Sequence, residues 1–185
     1  MAITPSNMIP LGTQAPNFSL KDVVSGEEKS LQQMKGGRAT LVMFICNHCP
    51  YVKHILPALA QLTTDYLSKS VSFVAISSND VQQIPEDGPE YMRQLVKDYD
   101  LQFPYLYDET QDVAKLYDAA CTPDFFLFDE NLKLVYRGQF DDSRPSNKVP
   151  LSGNHLRTAI NAVLAGEIVS PFQRPSIGCN IKWKV

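Results

Sequence analysis

The sequence predicts an α/β fold with a central mixed β-sheet flanked by helices. Two continuous apolar runs, at residues 40–45 and 71–76, are typical of strands that are buried on both faces. A segment with helical periodicity follows each run, and strands that alternate with helices favour parallel pairing. Later in the chain, turn residues at 129–131 separate two further apolar runs, which predicts an antiparallel hairpin and makes the sheet mixed.

The pattern of apolar residues assigns the remaining elements in order. After the first strand, apolar residues at helical spacing predict a helix over 50–68, with Pro57 inside it. Gly88-Pro89 marks the start of the next helix, and Gly166 closes the last one. The other predicted elements are strands at 17–20, 103–107, 125–128 and 133–137, a short helix at 112–117, and a half-buried strip at 179–185.

Length and composition predict one domain over residues 1–185. The chain has 185 residues, 44% of them hydrophobic, which is enough for one substantial core. Within it we expect an N-terminal extension with a hairpin at 1–38 and a C-terminal tail, 167–185, packed on the domain. The net charge of −3, without a block of like charges, argues against nucleic acid and anionic membrane as partners. Neither a signal peptide nor a membrane span is recognisable, so we expect a cytoplasmic protein.

Four cysteines, at positions 46, 49, 121 and 179, carry the functional signal. They are too few and too scattered for a disulfide-stapled secreted scaffold. Cys46-Asn47-His48-Cys49 follows directly after the first buried strand. In a reducing compartment, such a close pair is more often catalytic or metal-binding than structural.

A CxxC motif between a strand and a helix is suited to thiol–disulfide exchange. If Cys46 stands in the first turn of the helix, the helix dipole lowers its pKa into the range of roughly 3.5 to 7.5. Cys49 then lies one turn deeper and within disulfide reach. We therefore expect Cys46 to be the exposed nucleophile and Cys49 the shielded resolving thiol. His48 is expected to tune the couple by stabilising the Cys46 thiolate.

Together with a later Cys121-Thr122-Pro123 segment, this arrangement resembles the thioredoxin superfamily. The resemblance covers roughly residues 8 to 166 and implies a thioredoxin-like fold. It also implies a cis peptide bond between Thr122 and Pro123, which would form the substrate platform. The extra strand-helix unit before Pro123 and the stretch GTQAPNFSL, residues 12–20, are similar to the peroxiredoxin-like (AhpC/TSA, redoxin) branch.

The resemblance implies a thiol-disulfide oxidoreductase that needs no cofactor and no metal. Protein or small-molecule disulfides would be its substrates, with a thioredoxin- or glutathione-type electron donor. The sequence differs from thioredoxins at three positions. Ile45 replaces the tryptophan before the first cysteine, Thr40 replaces a buried acid that assists proton transfer, and Pro57 lies later than the usual helix proline. These differences favour a narrower redox role than general reduction.

Two alternative functions stay open at this point. A peroxiredoxin-like thiol peroxidase with antioxidant activity is disfavoured, because the Pro-x-x-x-Thr-x-x-Cys pattern fits neither Cys46 nor Cys49. A copper- or zinc-binding module would use Cys46, Cys49 and His54, but structural zinc normally takes four ligands.

Cys121 and Cys179 are candidates for additional redox thiols. The simpler interpretation is that each is a small buried hydrophobic residue. Cys121 lies two residues before Pro123, however, and Cys179 stands on the apolar side of the tail. The two could pair with each other, or Cys179 could act as a second resolving thiol.

Overall fold

The computed structural model describes residues 3–185, and it contains ten strands and five α-helices within that range. A short 3₁₀ helix spans Pro85–Asp87. In chain order the elements are β1 (Ile3–Pro5), β2 (Ser19–Asp22), β3 (Glu28–Ser30), α1 (Leu31–Met34), β4 (Ala39–Phe44), α2 (Pro50–Tyr66), β5 (Val71–Ser77), α3 (Pro89–Asp98), β6 (Tyr105–Tyr107), α4 (Asp112–Leu116), β7 (Cys121–Thr122), β8 (Asp124–Asp129), β9 (Leu134–Arg137), α5 (Asn154–Ala165) and β10 (Ile177–Asn180).

The central sheet has seven strands in the order β3-β2-β6-β5-β4-β8-β9. β4 runs parallel to β5 and antiparallel to β8, so that Val42 lies between Val74 and Phe126. β8 and β9 form the antiparallel hairpin expected from the turn residues at 129–131. The mixed sheet predicted from the sequence is confirmed. The hairpin of β2 and β3 belongs to this sheet, because β2 also pairs with β6.

Each face of the sheet is covered by its own hydrophobic core. Successive side chains of a strand point to opposite faces, and along β4 Leu41 and Met43 join one core while Val42 and Phe44 join the other. The first core packs against α2 and α5, and the second contains Tyr117 with Phe126 and Phe128 of β8. Both faces of β4 are therefore buried, which explains its continuous apolar sequence.

A second sheet of three short strands holds the two ends of the described chain together. Its order is β1-β10-β7, and all of its pairings are antiparallel. β10 thus places the C-terminal tail directly against Cys121 and Thr122. Among residues 3–185 no helix combines the length and apolar character needed to cross a membrane.

Candidate functional site

The CxxC motif occupies the loop between β4 and α2. β4 ends at Phe44, and α2 begins at Pro50 with Cys49 as its N-cap residue, in an extended conformation. The predicted start of the helix is confirmed, but the placement of Cys46 in its first turn is wrong. Cys46 lies in the loop, so Cys49 is the cysteine at the positive end of the helix.

This position favours negative charge on Cys49. Its pKa is lowered, first by a hydrogen-bonding interaction with the Cys46 thiol, against the opposing effect of burial. Interactions with Cys179 and with the backbone N–H of Val52, in the first turn of α2, lower it further. The unpaired N–H groups at a helix N-terminus stabilise an anion in this way.

Cys46 has the opposite electrostatic character. Burial raises its pKa well above the usual value, and the interaction with Cys49 and the negative charge of Asp87 add to that effect. Cys46 and Cys49 are both 0% exposed. The predicted exposure of Cys46 is therefore wrong, and its pKa is shifted in the direction opposite to the expected one by burial and by the neighbouring carboxylate.

Asp87 is a site residue that the sequence did not reveal. It ends the 3₁₀ helix, is completely buried, and accepts hydrogen bonds from the backbone N–H groups of Asn47 (2.7 Å) and His48 (3.0 Å). Its Oδ2 also accepts a bond of 2.7 Å from Nδ2 of Asn79 and lies 2.5 Å from Nδ1 of His48. Burial opposes ionisation, but the bonds from His48 and Asn79 lower the pKa of Asp87.

His48 connects Asp87 to Cys46. Its Nδ1 lies 3.6 Å from the sulfur of Cys46, and the same nitrogen makes the shorter contact with Asp87. The structure thus places His48 next to Cys46, as expected. The carboxylate beside this pair comes from Asp87, in a segment 38 residues downstream of Cys49.

Thr122 and Pro123 lie against both cysteines of the motif. The peptide bond between them is cis, which confirms the expectation from the resemblance. Oγ1 of Thr122 is 3.2 Å from the sulfur of Cys46, and its carbonyl oxygen is 3.2 Å from the sulfur of Cys49. The backbone of Thr122 is already paired, however, because Cys179 of β10 lies opposite it. The expected substrate platform is occupied by the tail.

The structure brings Cys179 to Cys49, with the two sulfur atoms 2.9 Å apart. The register pairs Asn180, and not Cys179, with Cys121. The Cys121 sulfur lies 3.6 Å from the carbonyl oxygen of Pro123, and burial raises its pKa. Of the two additional candidates, Cys179 is therefore the one that reaches the CxxC motif.

The alternative metal ligand set is not brought together. Nε2 of His54 lies 3.0 Å from the hydroxyl group of Ser143. Within the described part of the chain, the donor groups that meet are those of Cys46, His48 and Asp87, whose ligand atoms lie within 4.8 Å of one another. This trio falls short of the four ligands of a structural zinc site.

Comparison with known proteins places the chain in a family. The model of the AhpC/TSA family matches residues 11–137. The chain belongs to the AhpC/TSA family. Two curated relatives are the thioredoxin-like protein YneN of Bacillus subtilis and the thiol-disulfide oxidoreductase ResA of Bacillus thuringiensis. YneN is 33% identical over 64% of this chain and 65% of its own length, so the match spans just under two thirds of that relative. ResA is 26% identical over 71% of each chain.

Solved structures extend the likeness of this AhpC/TSA protein to the whole chain. An uncharacterised conserved protein from Geobacillus kaustophilus superposes with a TM-score of 0.98 and 56% identity, covering 100% of this chain and 97% of its own. A putative thiol:disulfide interchange protein DsbE from Chlorobium tepidum has a TM-score of 0.67 and 21% identity, over 84% and 98% of the two chains. The second likeness shows the fold alone, and the thioredoxin-like fold is confirmed.

Proposed function

We propose that this protein is a thiol-disulfide oxidoreductase in which Cys49 attacks and Cys46 resolves. One observation carries the proposal: Cys49 caps α2, its pKa is lowered, and it interacts with the Cys46 thiol beside Thr122. The name of ResA supports the class of reaction. The order of the two cysteines is the reverse of the order expected from the sequence.

The reaction proceeds in two exchange steps. The Cys49 thiolate attacks one sulfur of a substrate disulfide, forms a mixed disulfide and releases the other sulfur as a thiolate. Cys46 then loses its proton and attacks the Cys49 sulfur. The substrate's second sulfur leaves as a thiolate, which takes up a proton. The substrate disulfide gains two electrons, and the Cys46–Cys49 pair is oxidised to a disulfide.

His48 and Asp87 are suited to the second step. Cys46 must lose its proton to attack, yet burial and the charge of Asp87 hold that proton on its sulfur. Nδ1–H of His48, which is held by Asp87, lies 3.6 Å from the Cys46 sulfur and stabilises the thiolate as it forms, while the proton that Cys46 loses passes to the leaving thiolate of the substrate. We propose that this pair replaces the buried acid that thioredoxins carry at the position of Thr40.

Insulin-disulfide reduction with a dithiol donor tests the proposed function. We expect Cys46→Ser and Cys49→Ser each to abolish turnover, and Cys121→Ser, which removes a buried thiol outside the motif, to retain it. In a Cys179→Ser background, only Cys46→Ser should accumulate a mixed disulfide with a substrate peptide, because Cys49 remains to attack while neither Cys46 nor its neighbour Cys179 is present to resolve it.

The same variants distinguish the alternatives. Accumulation of the mixed disulfide in Cys49→Ser instead of Cys46→Ser would show that Cys46 attacks and Cys49 resolves. Insulin reduction that survives both substitutions would contradict the proposed function. Peroxide consumption that needs one cysteine of the motif, without insulin reduction, would favour a peroxidase.

A further inference from the structure

The C-terminal tail occupies the edge against which a substrate is expected to lie. β10 runs antiparallel to β7, with Cys179 opposite Thr122. The hydroxyl group of Ser176 donates a 2.6 Å bond to the carbonyl oxygen of Pro123, which fixes the strand on both sides of the cis bond. The tail is thus an extended, cysteine-containing segment in the place of a substrate peptide.

Gly178 allows this close approach. A Cβ atom at position 178 would lie 1.9 Å from the carbonyl oxygen of Thr122 and 3.2 Å from Cδ of Pro123. Any side chain there collides with the backbone, so glycine is required for the tail to lie this close. The Gly-Cys pair at 178–179 therefore sets the distance at which the Cys179 sulfur meets Cys49.

Contacts farther along the tail connect it to the buried acid. The backbone N–H of Lys182 donates a 2.8 Å bond to Oδ1 of Asn79, and Nδ2 of the same asparagine donates to Asp87. The carbonyl oxygen of Lys182 accepts from the backbone N–H of Asp80 at 2.9 Å. Displacement of the tail would therefore disturb the partner of His48 as well as uncover Cys49.

We propose that Cys179 is a third redox thiol. It exchanges with the Cys46–Cys49 disulfide to form a Cys49–Cys179 disulfide, which holds the tail covalently over the site. The proposal rests on the proposed function, because that function supplies the first disulfide. The Cys179 thiolate attacks the Cys49 sulfur, the Cys49–Cys179 bond forms and the Cys46–Cys49 bond breaks. Cys46 leaves as a thiolate and takes up the proton that Cys179 has lost, so no net oxidation occurs.

Geometry and access both support this exchange. The two sulfur atoms are 2.9 Å apart, against about 2.05 Å in a disulfide, so bonding needs only a small movement. Cys49 is 0% exposed, and the backbone of Thr122 beside it is paired with the tail. An external disulfide must displace the tail, whereas Cys179 is already in place.

Tryptic peptides separate the cysteines cleanly. Cys46 and Cys49 lie in residues 39–53, Cys121 in 116–133, and Cys179 in 158–182. The full chain is oxidised, alkylated in acid without reductant and digested, and the linked peptides are sequenced by mass spectrometry. In the wild type we expect a link between 39–53 and 158–182 with the alkyl group on Cys46.

Two glycine variants test the role of the docked tail. Gly178→Ala should lose the link while the Cys46–Cys49 disulfide still forms. Gly37→Ala, whose added Cβ would meet the Ser70 side chain at an ordinary 3.5 Å, should keep it. Retention of the link in Gly178→Ala at the wild-type level would overturn the role assigned to the docked strand.

The failures of this inference and of the proposed function are distinguishable. Wild-type protein that reduces insulin disulfides but shows no link between 39–53 and 158–182 would overturn the third-thiol proposal alone. A link formed equally well in Cys49→Ser, or a link to 116–133 in its place, would overturn it too. Insulin reduction that is independent of both motif cysteines would instead contradict the proposed function.

Discussion

Replacing Asp87 with alanine is expected to lower the free energy of unfolding by about 3 to 5 kcal/mol, because each buried donor group left without its acceptor costs about 1 to 3 kcal/mol. Asp87 is completely buried and serves four donor groups from Asn47, His48 and Asn79. Alanine leaves two buried backbone N–H groups without an acceptor. Urea unfolding of the reduced protein at neutral pH measures the loss.

The pH dependence of this loss follows from the direction of the Asp87 pKa shift. The folded-state pKa of Asp87 is lowered, so its contribution to stability is present above the unfolded value of about 3.9. It is lost as the pH falls through the lower folded value, and the gap between wild type and Asp87→Ala should narrow there. Glu130→Ala, at an exposed position, serves as the control and should change stability by less than about 0.5 kcal/mol. A loss for Asp87→Ala as small as that of the control would contradict the assigned role.

Replacing Asp124 with asparagine is expected to have an opposite dependence on pH. Asp124 is completely buried, its Oδ1 has no hydrogen-bond partner among residues 3–185, and burial raises its pKa to about 7. The folded state therefore holds a proton that the unfolded state releases near pH 4. Wild-type stability falls as the pH rises from the unfolded value to the folded one.

The measurement compares the unfolding free energies of Asp124→Asn and wild type at about pH 4 and pH 8. Because three pKa units correspond to about 4 kcal/mol, the variant should gain about that much relative to wild type over this interval. Groups that titrate alike in both proteins cancel in the comparison. A difference that stays constant with pH would show that Asp124 is ionised in the folded protein throughout.

The sequence predicted the elements whose residues carry a clear period. β4 and α2 were found because one is apolar on both faces and the other has apolar residues at helical spacing. The sequence indicates a helix start at Pro50 but wrongly places Cys46 in the first turn. A loop of five residues between strand and helix has no period of its own. Because this loop has no pattern, the sequence does not show which of the two cysteines lies at the N-terminus of α2.

The residues around the motif depend on contacts between distant segments. Asp87 reaches His48 across 39 positions, and Cys179 reaches Cys49 across 130. Alternating polarity predicted that the tail is an extended strip, but the strand edge that it pairs with is set by the three-dimensional fold. Sequence reasoning therefore named Cys179 as a candidate thiol without finding its partner.

The central claim is that the charge of the reduced motif lies on Cys49. Protein labelled with ¹³C at the cysteine Cβ atoms reports each thiol as it ionises, without requiring access to the buried site, and the serine variants assign the resonances. We predict that the Cys49 signal titrates below the usual cysteine pKa of about 8.5 and the Cys46 signal above it. A Cys46 signal that titrates first would contradict the account.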